Sequence, residues 1–309
     1  MKRILLLAAA TAMTTLSTQA QTDIPLDNEA MYFDIDELPN AVNWLPAPPE
    51  PNSTQFAYDL TQYMWGKGER MDEERAQQAI DHEVSEIPDM AEQFSKPFGM
   101  EISKEKTPYI FHVLTRGVLT IRLCATKPKT TFIRMRPYVR YNEPTLIPKD
   151  EDLLRDNGSY PSGHSIRGWA MTLLLCEINP ASQDDLLALG FQWGQSRVIA
   201  GYHWQSDVDA GRILASAGYA RLHTNEEFLA DIAAARAEYA KLAAGGTRIN
   251  TPKSVNTTRS AAIYNMAGEQ LNDNPNTGVY IQNGKKYIKK AEYRSKEKSK
   301  DQGGHNLSL

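Results

Sequence analysis

A histidine and an aspartate in the second half of the chain have the spacing of a nucleophilic pair. Three residues separate His203 from Asp207, so on a helix the two side chains would be neighbours one turn apart. Asp207 could then accept the Nδ1–H of His203, which would leave Nε2 of the imidazole free as a nucleophile. For an isolated His/Asp couple, an ordinary surface pair remains the common alternative.

A second histidine follows a turn that could bind an oxyanion. Residues Gly158–Ser165 read Gly-Ser-Tyr-Pro-Ser-Gly-His-Ser and lead into an amphipathic segment. Free backbone N–H groups and the positive dipole end make the start of such a helix a natural anion site. Ser162 would add a hydroxyl, and His164 would lie in the first turn of the helix. A plain turn with an N-cap serine accounts for the same residues.

Three basic residues could supply positive charge to the same anion. Arg197 has a planar fork of donors that matches the oxygens of a phosphate group. Lys129 and Arg136 are seven residues apart, so on a helix that Pro137 ends, both would point at one anion. For this pair alone, a solvated basic face is the alternative that we favour.

The cysteines and the remaining histidines indicate neither a metal site nor a cofactor. The chain has two cysteines and six histidines, and no array of them suggests zinc. Cys124 and Cys176 could form one disulfide in an exported protein, or both could remain buried thiols. We therefore predict no metal and no cofactor.

The segments that would hold these residues are predicted to be helical. Helical periodicity and capping signals predict an all-α bundle over residues 21–245, with few alternating strand patterns before residue 260. Thr224 and Glu227 have the spacing of a capping box at the start of the final helix. That final helix is predicted over Glu226–Leu242, and the earlier helices are predicted to include Phe56–Trp65 and Glu73–Ile80 and to span Thr107 to about Thr126, Ser162–Glu177, Ser182–Val198 and Trp204–Leu222.

The two ends of the chain differ from this bundle. Residues 1–20 have a basic start, an apolar stretch and a small-residue end, which predicts a cleaved signal peptide and a periplasmic or exported protein. Residues 246–260 are polar and predict a linker. Residues 261–290 predict a small β-rich appendage with a hairpin at Asn283-Gly284. The charged residues 291–309 predict a disordered tail.

The net charge argues against nucleic acid as a partner. The 309 residues include 34 Lys and Arg against 38 Asp and Glu, a formal net charge of -4. Removal of Lys2 and Arg3 with the signal peptide would make the mature chain still more acidic. A net charge of this sign disfavours a general nucleic-acid-binding role. An anionic ligand would have to be held by a local basic pocket.

Taken in order, these groups resemble a known sequence motif. Lys-x6-Arg-Pro, then Pro-Ser-Gly-His, then Ser-Arg-x5-His-x3-Asp is similar to the phosphatase motif of the type 2 phosphatidic acid phosphatase superfamily. Within it, residues 43–240 resemble the class A bacterial non-specific acid phosphatases, on the patterns Gly158–His164, Gly194–Arg197 and Gly201–Asp207 and on the proline-rich arm Leu45–Pro49. Ser165 stands where the class has threonine, which is a conservative change.

This resemblance implies a metal-independent acid phosphatase with a helical bundle core and a histidine nucleophile. His203 would attack phosphorus and form a phosphohistidine, Asp207 would hold its ring, and His164 would protonate the leaving alkoxide and later deprotonate water. The oxygens of the phosphoryl group would be bound by Lys129, Arg136, Ser162, the Gly163 amide and Arg197. Small phosphomonoesters and inorganic phosphate or vanadate would be the ligands.

Other interpretations share parts of this pattern. A vanadate-dependent haloperoxidase uses a similar pocket, and a non-catalytic anion-binding protein would retain the basic groups. An integral membrane lipid phosphatase shares the motif, but no run in the mature chain is apolar enough to span a membrane. The family also suggests homo-oligomers and transfer of phosphate to alcohols. Residues 263–290 resemble a C-terminal sorting segment of exported Bacteroidetes-type proteins, for which a β-appendage without a sorting role is the alternative.

Overall fold

A computed structural model describes residues 25–245 and four strands near the C-terminus. The predicted signal peptide, linker and tail lie outside the described residues. Residues 25–245 contain no β-strand, so the prediction of an all-α core is confirmed. The helices are α1 Thr54–Glu69, α2 Glu73–Asp81, α3 Ile87–Phe98, α4 Pro108–Arg122, α5 Thr126–Thr131, α6 Pro137–Tyr141, α7 Glu151–Leu154, α8 Gly163–Ile178, α9 Gln183–Ala200, α10 Gln205–Leu222 and α11 Glu226–Ala244.

Helix α8 lies at the centre of the bundle and packs against α4, α9 and α10, while α11 covers α4. Close approach of α8 to α9 depends on two glycines. A β-carbon at Gly168 would lie 2.5 Å from the Trp193 ring, and one at Gly190 would lie 2.0 Å from Thr172 Oγ1. Only glycine fits at these two positions, and the missing side chains allow α8 and α9 to pack closely.

Polar caps fix where several of these helices begin. Ser53 Oγ accepts a hydrogen bond from the Phe56 amide at the start of α1, at 3.1 Å. At the start of α11 the cap is Asn225, whose Oδ1 accepts from the Phe228 amide at 2.9 Å. The predicted capping box that begins at Thr224 is therefore wrong by one residue, because Asn225 is the better cap in reach of the same amides.

Helix α4 also ends earlier than predicted. It stops at Arg122, a short 3-10 turn spans Leu123–Ala125, and α5 then begins at Thr126. This break changes the direction of the chain directly before the first basic motif, so that Arg122 and Lys129 lie on different helices.

An N-terminal arm runs along the bundle before α1. Its apolar side chains are buried, among them Tyr32, Phe33, Leu38 and Leu45. The Tyr32 amide donates to Thr120 Oγ1 of α4 at 3.0 Å, and the Tyr32 hydroxyl donates to Asp231 of α11 at 2.6 Å. The arm therefore joins two helices that lie far apart in sequence.

The strands belong to a second compact unit of the chain. They are β1 Ile263–Asn265, β2 Gln270–Leu271, β3 Gly278–Gln282 and β4 Lys285–Lys289. All neighbours are antiparallel, and the strand order is β2-β1-β3-β4. Tyr280 lies opposite Tyr287 in the β3–β4 pair. The predicted turn at Asn283-Gly284 lies outside the described residues. Among the described residues, no helix combines the length and apolar character needed to cross a membrane.

Candidate active site

A cavity of about 270 Å³ opens where α4, α5, α8 and α9 meet the segments that precede α6 and α10. Five basic side chains and two imidazoles line it, together with the carboxylates of Glu83 and Asp150. Of the residues predicted from the sequence, six line the cavity: Lys129, Arg136, Gly163, His164, Arg197 and His203. Ser162 and Asp207 do not line it; both are fully buried next to it.

His203 is held at both ring nitrogens. Its Nδ1 lies 3.3 Å from Asp207 Oδ2, and its Nε2 lies 3.3 Å from Nη1 of Arg136. A guanidinium can only donate and a carboxylate can only accept, so the two partners together select the tautomer with the proton on Nδ1. The Nε2 lone pair is thereby directed into the cavity beside a cation.

The predicted helical relation between His203 and Asp207 is wrong, although the two side chains do meet. His203 precedes α10, which begins at Gln205. Asp207 lies in the first turn of α10, and its Oδ2 also accepts the Trp204 amide at 2.8 Å. A carboxylate near a helix N-terminus satisfies free amides there. The same cap therefore positions Asp207 against the ring of the residue just outside the helix.

Two further residues hold Asp207 from behind, and sequence reasoning missed both. Nη1 of Arg134 donates to Asp207 Oδ1 at 2.6 Å, and Nη2 donates to Asp59 Oδ2 of α1 at 2.6 Å. Asp59 in turn accepts the Ser206 amide and hydroxyl, at 2.8 and 2.6 Å. The Lys-x6-Arg-Pro motif contains Arg134, but no spacing in the sequence connects it with Asp59, 75 residues away.

Lys129 and Arg136 converge by a route that differs from the predicted one. Helix α5 ends at Thr131 and Arg136 has an extended backbone, so no continuous helix joins the two residues. Pro137 begins α6 rather than ending a helix. Proline is well suited to a first helical position because it lacks an N–H.

Backbone carbonyls fix both side chains. Lys129 Nζ donates to the Gly158 carbonyl at 2.8 Å. Arg136 Nε donates to the Leu154 and Asn157 carbonyls at 2.9 Å, and its Nη1 donates to the Tyr202 carbonyl at 3.1 Å. Carbonyl oxygens orient these cations but do not neutralise their charge.

The start of α8 brings the Ser162–His164 turn to the cavity. Ser162 is the N-cap, and its Oγ accepts from the Ser165 amide at 3.2 Å and from the Ser165 hydroxyl at 2.9 Å. Nε2 of His164 lies 2.6 Å from the Glu83 carbonyl, so this nitrogen carries a proton. Nδ1 of His164 has no hydrogen-bond partner among the described residues and is the nitrogen left for chemistry.

Arg197 reaches the cavity from the last turn of α9. It is almost fully buried, it forms an ion pair with Glu83, and its guanidinium stacks over the Tyr202 ring at 4.7 Å. Tyr202 and Tyr160 are buried packing residues, with hydroxyls that donate to the Ile147 and Pro46 carbonyls.

Burial and the surrounding cations keep the imidazoles neutral. Burial lowers the pKa of His203 to about 3, opposed by the hydrogen bond to Asp207 and assisted by Arg136. Burial also takes the pKa of His164 well below its usual range, and Arg197 adds to the effect. Burial alone would raise the pKa of Asp207, but Arg134 and His203 outweigh it and lower that pKa to about 2.

Burial and repulsion between neighbouring cations also lower the pKa values of the basic side chains in the cavity. Burial, followed by the field of Arg136, lowers the pKa of Lys129 to about 7. Burial lowers the pKa of Arg136 to about 10, although Asp207 opposes the shift. An anion that enters the pocket relieves this repulsion between like charges, so the pocket favours anionic ligands.

Two more arginines line the cavity and were not singled out from the sequence. They are Arg122, the last residue of α4, and Arg167, in the second turn of α8. Neither belongs to the spaced motif, so no pattern pointed to them. Cys124 and Cys176 are both free thiols, so no disulfide joins them. No group of three or more His, Cys, Asp or Glu side chains suited to a metal ion occurs within the described part of the chain.

The chain is similar to proteins of one known family. Residues 107–227 match the PAP2 superfamily. The chain is 40% identical over 247 residues to the non-specific acid phosphatase of Providencia stuartii, an alignment that covers 78% of this chain and 99% of that protein. It is 38% identical over 205 residues to the non-specific acid phosphatase of Salmonella typhimurium, with 66% of this chain and 81% of that protein covered.

An acid phosphatase of Zymomonas mobilis is 36% identical over 143 residues, which cover 46% of this chain and 54% of that protein. The chain therefore belongs to the PAP2 superfamily, and within it to the bacterial non-specific acid phosphatases of class A. It is an acid phosphatase, and small phosphomonoesters are its substrates.

Proposed function

We propose that this acid phosphatase works through a phosphohistidine on His203, without a metal ion. The observation that carries the proposal is the orientation of His203, with Nδ1 at Asp207 and Nε2 beside Arg136 in the cavity. Because burial lowers the pKa of His203 to about 3, its imidazole stays neutral at mildly acid pH. A neutral imidazole in this tautomer is a competent nucleophile.

Five groups would bind the phosphoryl oxygens. Lys129, Arg136 and Arg197 line one cavity and would face the equatorial oxygens, where charge accumulates during phosphoryl transfer. The Gly163 amide at the start of α8 would donate to one of them, and the Ser162 hydroxyl would donate from the cap position. These cations would take the role that divalent metals fill in other phosphatases, which supports a metal-independent reaction.

The proton for the leaving group would arrive with the substrate. His164 is neutral in the free pocket because burial and Arg197 lower its pKa. A phosphate ester monoanion that enters the cavity neutralises the cations and can pass its proton to Nδ1 of His164. His203 then attacks phosphorus, the ester oxygen leaves with the bonding electrons, and His164 returns the proton to give the free alcohol.

The second half of the reaction would reverse these roles. His164 Nδ1 would take a proton from a water molecule, whose oxygen attacks the phosphohistidine and releases inorganic phosphate. An alcohol in place of water would accept the phosphoryl group, which is the phosphotransferase activity that the family suggests. The cavity is open and has few side chains that could recognise a particular leaving group, which supports a broad range of phosphomonoester substrates.

We further propose that the protein acts outside the cytoplasm. The signal-peptide pattern of residues 1–20 supports export to the periplasm, and the sequence of residues 263–290 supports sorting to the surface. The four antiparallel strands in that region are compatible with a small β-rich appendage. Oligomers, which the family also suggests, remain part of this proposal.

Hydrolysis of a chromogenic aryl phosphate by the full chain in EDTA, at mildly acid pH, tests the mechanism. We expect His203→Ala to reduce kcat by about 10³-fold or more, because a nucleophile has no substitute here. His223→Ala is the matched control, since His223 lies outside the cavity and contacts Glu177. Wild-type enzyme quenched in alkaline denaturant during turnover should carry an acid-labile, base-stable phosphoryl group on the peptide that contains residue 203. Turnover that needs a divalent ion, or that survives in the His203 variant, would overturn the mechanism.

A further inference from the structure

The loop between α2 and α3, residues 82–86, supplies the backbone atoms that hold His164. Nε2 of His164 lies 2.6 Å from the Glu83 carbonyl and 3.2 Å from the Val84 carbonyl. Carbonyl oxygens can only accept, so they keep the proton on Nε2 and leave Nδ1 for the leaving group. The position of this loop therefore determines whether His164 can act as the acid.

His82, the first residue of this loop, is buried and anchored to α9. Its Nδ1 lies 2.9 Å from Ser196 Oγ, and its ring is stacked on the ring of Trp193 with the two centroids 4.7 Å apart. The Ser196 hydroxyl gives its own proton to the Gln192 carbonyl, at 2.9 Å, so Nδ1 of His82 is the donor in this contact. Nη1 of Arg75 donates to the same Oγ at 3.0 Å.

The His82 ring is a neutral anchor. Burial, followed by the charge of Arg75, lowers the pKa of His82 to about 4, so the ring carries no charge at mildly acid pH. A neutral ring with its proton on Nδ1 matches the lone pair that Ser196 offers. His82 is not among the described residues that line the catalytic cavity, so any effect on the reaction has to pass through the loop.

A second contact joins the loop to α9, but substrate competes with it. Glu83 forms an ion pair with Arg197, which would also bind the substrate phosphate. That ion pair is therefore weakened when a phosphate enters the cavity. The hydrogen bond of His82 involves no group that binds phosphate, so it persists. His82 is consequently the contact that keeps the loop carbonyls at His164 while Arg197 is engaged.

We propose that His82 is a positioning residue, which holds the α2–α3 loop against Ser196 and Trp193 so that the Glu83 carbonyl fixes His164 for protonation of the leaving group. The proposal rests on the acid role of His164 in the mechanism above. Loss of the anchor would impair departure of the leaving group and would leave the nucleophile and the phosphate-binding cations in place. Its effect must therefore depend on how basic the leaving group is.

The test measures kcat/KM of the full-length enzyme on ethyl phosphate and on p-nitrophenyl phosphate. Ethoxide is strongly basic and needs a proton to leave, whereas p-nitrophenolate leaves without one. His82→Phe keeps a ring on Trp193 but has no donor for Ser196. It should lose about ten- to hundredfold on ethyl phosphate and less than about threefold on p-nitrophenyl phosphate. His82→Asn offers an N–H near the position of Nδ1 and should stay within about threefold of wild type on both substrates.

A second variant removes the other side of the same hydrogen bond. Ser196→Ala has no acceptor for His82 and should show the same selective loss on ethyl phosphate, so the test does not depend on the folding of His82→Phe. His223→Phe is the matched control, because His223 is half-buried outside the cavity, at Glu177. It should leave both substrates unchanged. Equal losses on the two substrates, or no loss on either, would overturn the positioning role.

His164→Asn separates this proposal from the mechanism. If it shows the selective loss on ethyl phosphate but His82→Phe and Ser196→Ala do not, the positioning role is wrong and the mechanism stands. If His164→Asn shows no selective loss, the acid role of His164 fails. Proton NMR of the imidazole N–H groups then still tests the contact. His82→Phe, but not His82→Asn, should lose the slowly exchanging Nε2–H signal of His164, and an unchanged signal in His82→Phe would overturn the proposal.

Discussion

Arg116 and Arg136 of the cavity are both buried, but they differ in what neutralises their charge. Arg116 donates to Glu227 and to Asp231 at 2.8 Å and to the Ala30 carbonyl at 2.6 Å. Its guanidinium also lies 4.1 Å from the centre of the Tyr32 ring. In the cavity, by contrast, Arg136 has only carbonyls and an imidazole as partners, and Arg122 and Arg167 have none among the described residues.

This difference indicates that the charge of Arg116 stabilises the fold, whereas the charges of the cavity arginines serve to bind an anion. Arg116 joins the N-terminal arm to α4 and α11, and the carboxylates it needs are part of the fold. In the cavity only Arg197 among the five lining cations has a carboxylate partner within the described residues, so a phosphate supplied from outside neutralises the remaining positive charge. Identical substitutions in the two regions should therefore have opposite consequences for stability.

The largest effect is expected at Arg116. Arg116→Met leaves Asp231 buried without its cation, and breaking a buried pair in this way costs about 3–5 kcal/mol of unfolding free energy. Urea denaturation measures the loss, with Arg236→Met on the exposed face of α11 as the control. The kcat of the folded fraction should stay at the wild-type value. A loss below 1 kcal/mol would mean that the arm is not fixed by this charge.

An intermediate effect is expected at Arg134, which touches the nucleophile only through Asp207. Arg134→Lys keeps the charge but cannot bridge Asp59 and Asp207, so kcat should fall about ten- to hundredfold while KM changes little. Arg134 lowers the pKa of Asp207, so weakening its contact should raise that pKa from about 2. Asp207 would then gain its proton at higher pH.

The acid limb of the kcat–pH profile should consequently move to higher pH in this variant. Arg140→Lys, an exposed change on the neighbouring helix α6, should leave the profile unchanged. An unchanged acid limb together with a lower kcat would show that Arg134 supports the fold without positioning Asp207.

The smallest effect, of opposite sign to that at Arg116, is expected at Arg122. Arg122 is half-buried among other cations and its Nε is buried without a hydrogen-bond partner, so Arg122→Met should raise the unfolding free energy of the phosphate-free protein by about 1 kcal/mol. Because Arg122 lines the cavity, the same variant should show a smaller rise in Tm on addition of inorganic phosphate than wild type does. Thermal melts with and without phosphate measure both. Destabilisation as large as that of Arg116→Met would erase the distinction between the two regions.

The sequence was sufficient for the helices and for the identity of the main cations, because periodicity and motif spacing are local signals. It was misleading about how the motif residues meet. Lys129 and Arg136 converge across a helix break, and His203 reaches Asp207 from outside α10. Both predictions assumed a continuous helix at a place where the chain turns. Whether a helix ends there depends on a single proline or capping residue, and helix ends are hard to predict to the residue.

The missed residues depend on contacts between distant parts of the chain. Asp59 and Arg134 pair between α1 and the segment before α6, and Glu83 enters the cavity from the loop after α2. In the sequence, Arg122 and Arg167 look like ordinary charged positions on two helices. Only the packing of α4 against α8 brings both to the same cavity, and a single amino-acid sequence contains no signal of that packing.

The Glu83 carboxylate competes with the substrate phosphate for Arg197. Its carboxylate already occupies Arg197, so an incoming phosphate must displace Glu83 or share the guanidinium with it. The same backbone segment accepts the proton of His164 Nε2, which couples this exchange to the acid–base residue. Substrate affinity is thereby reduced, but the carboxylate can return as product leaves. The pocket is therefore suited to fast release of inorganic phosphate rather than to its retention.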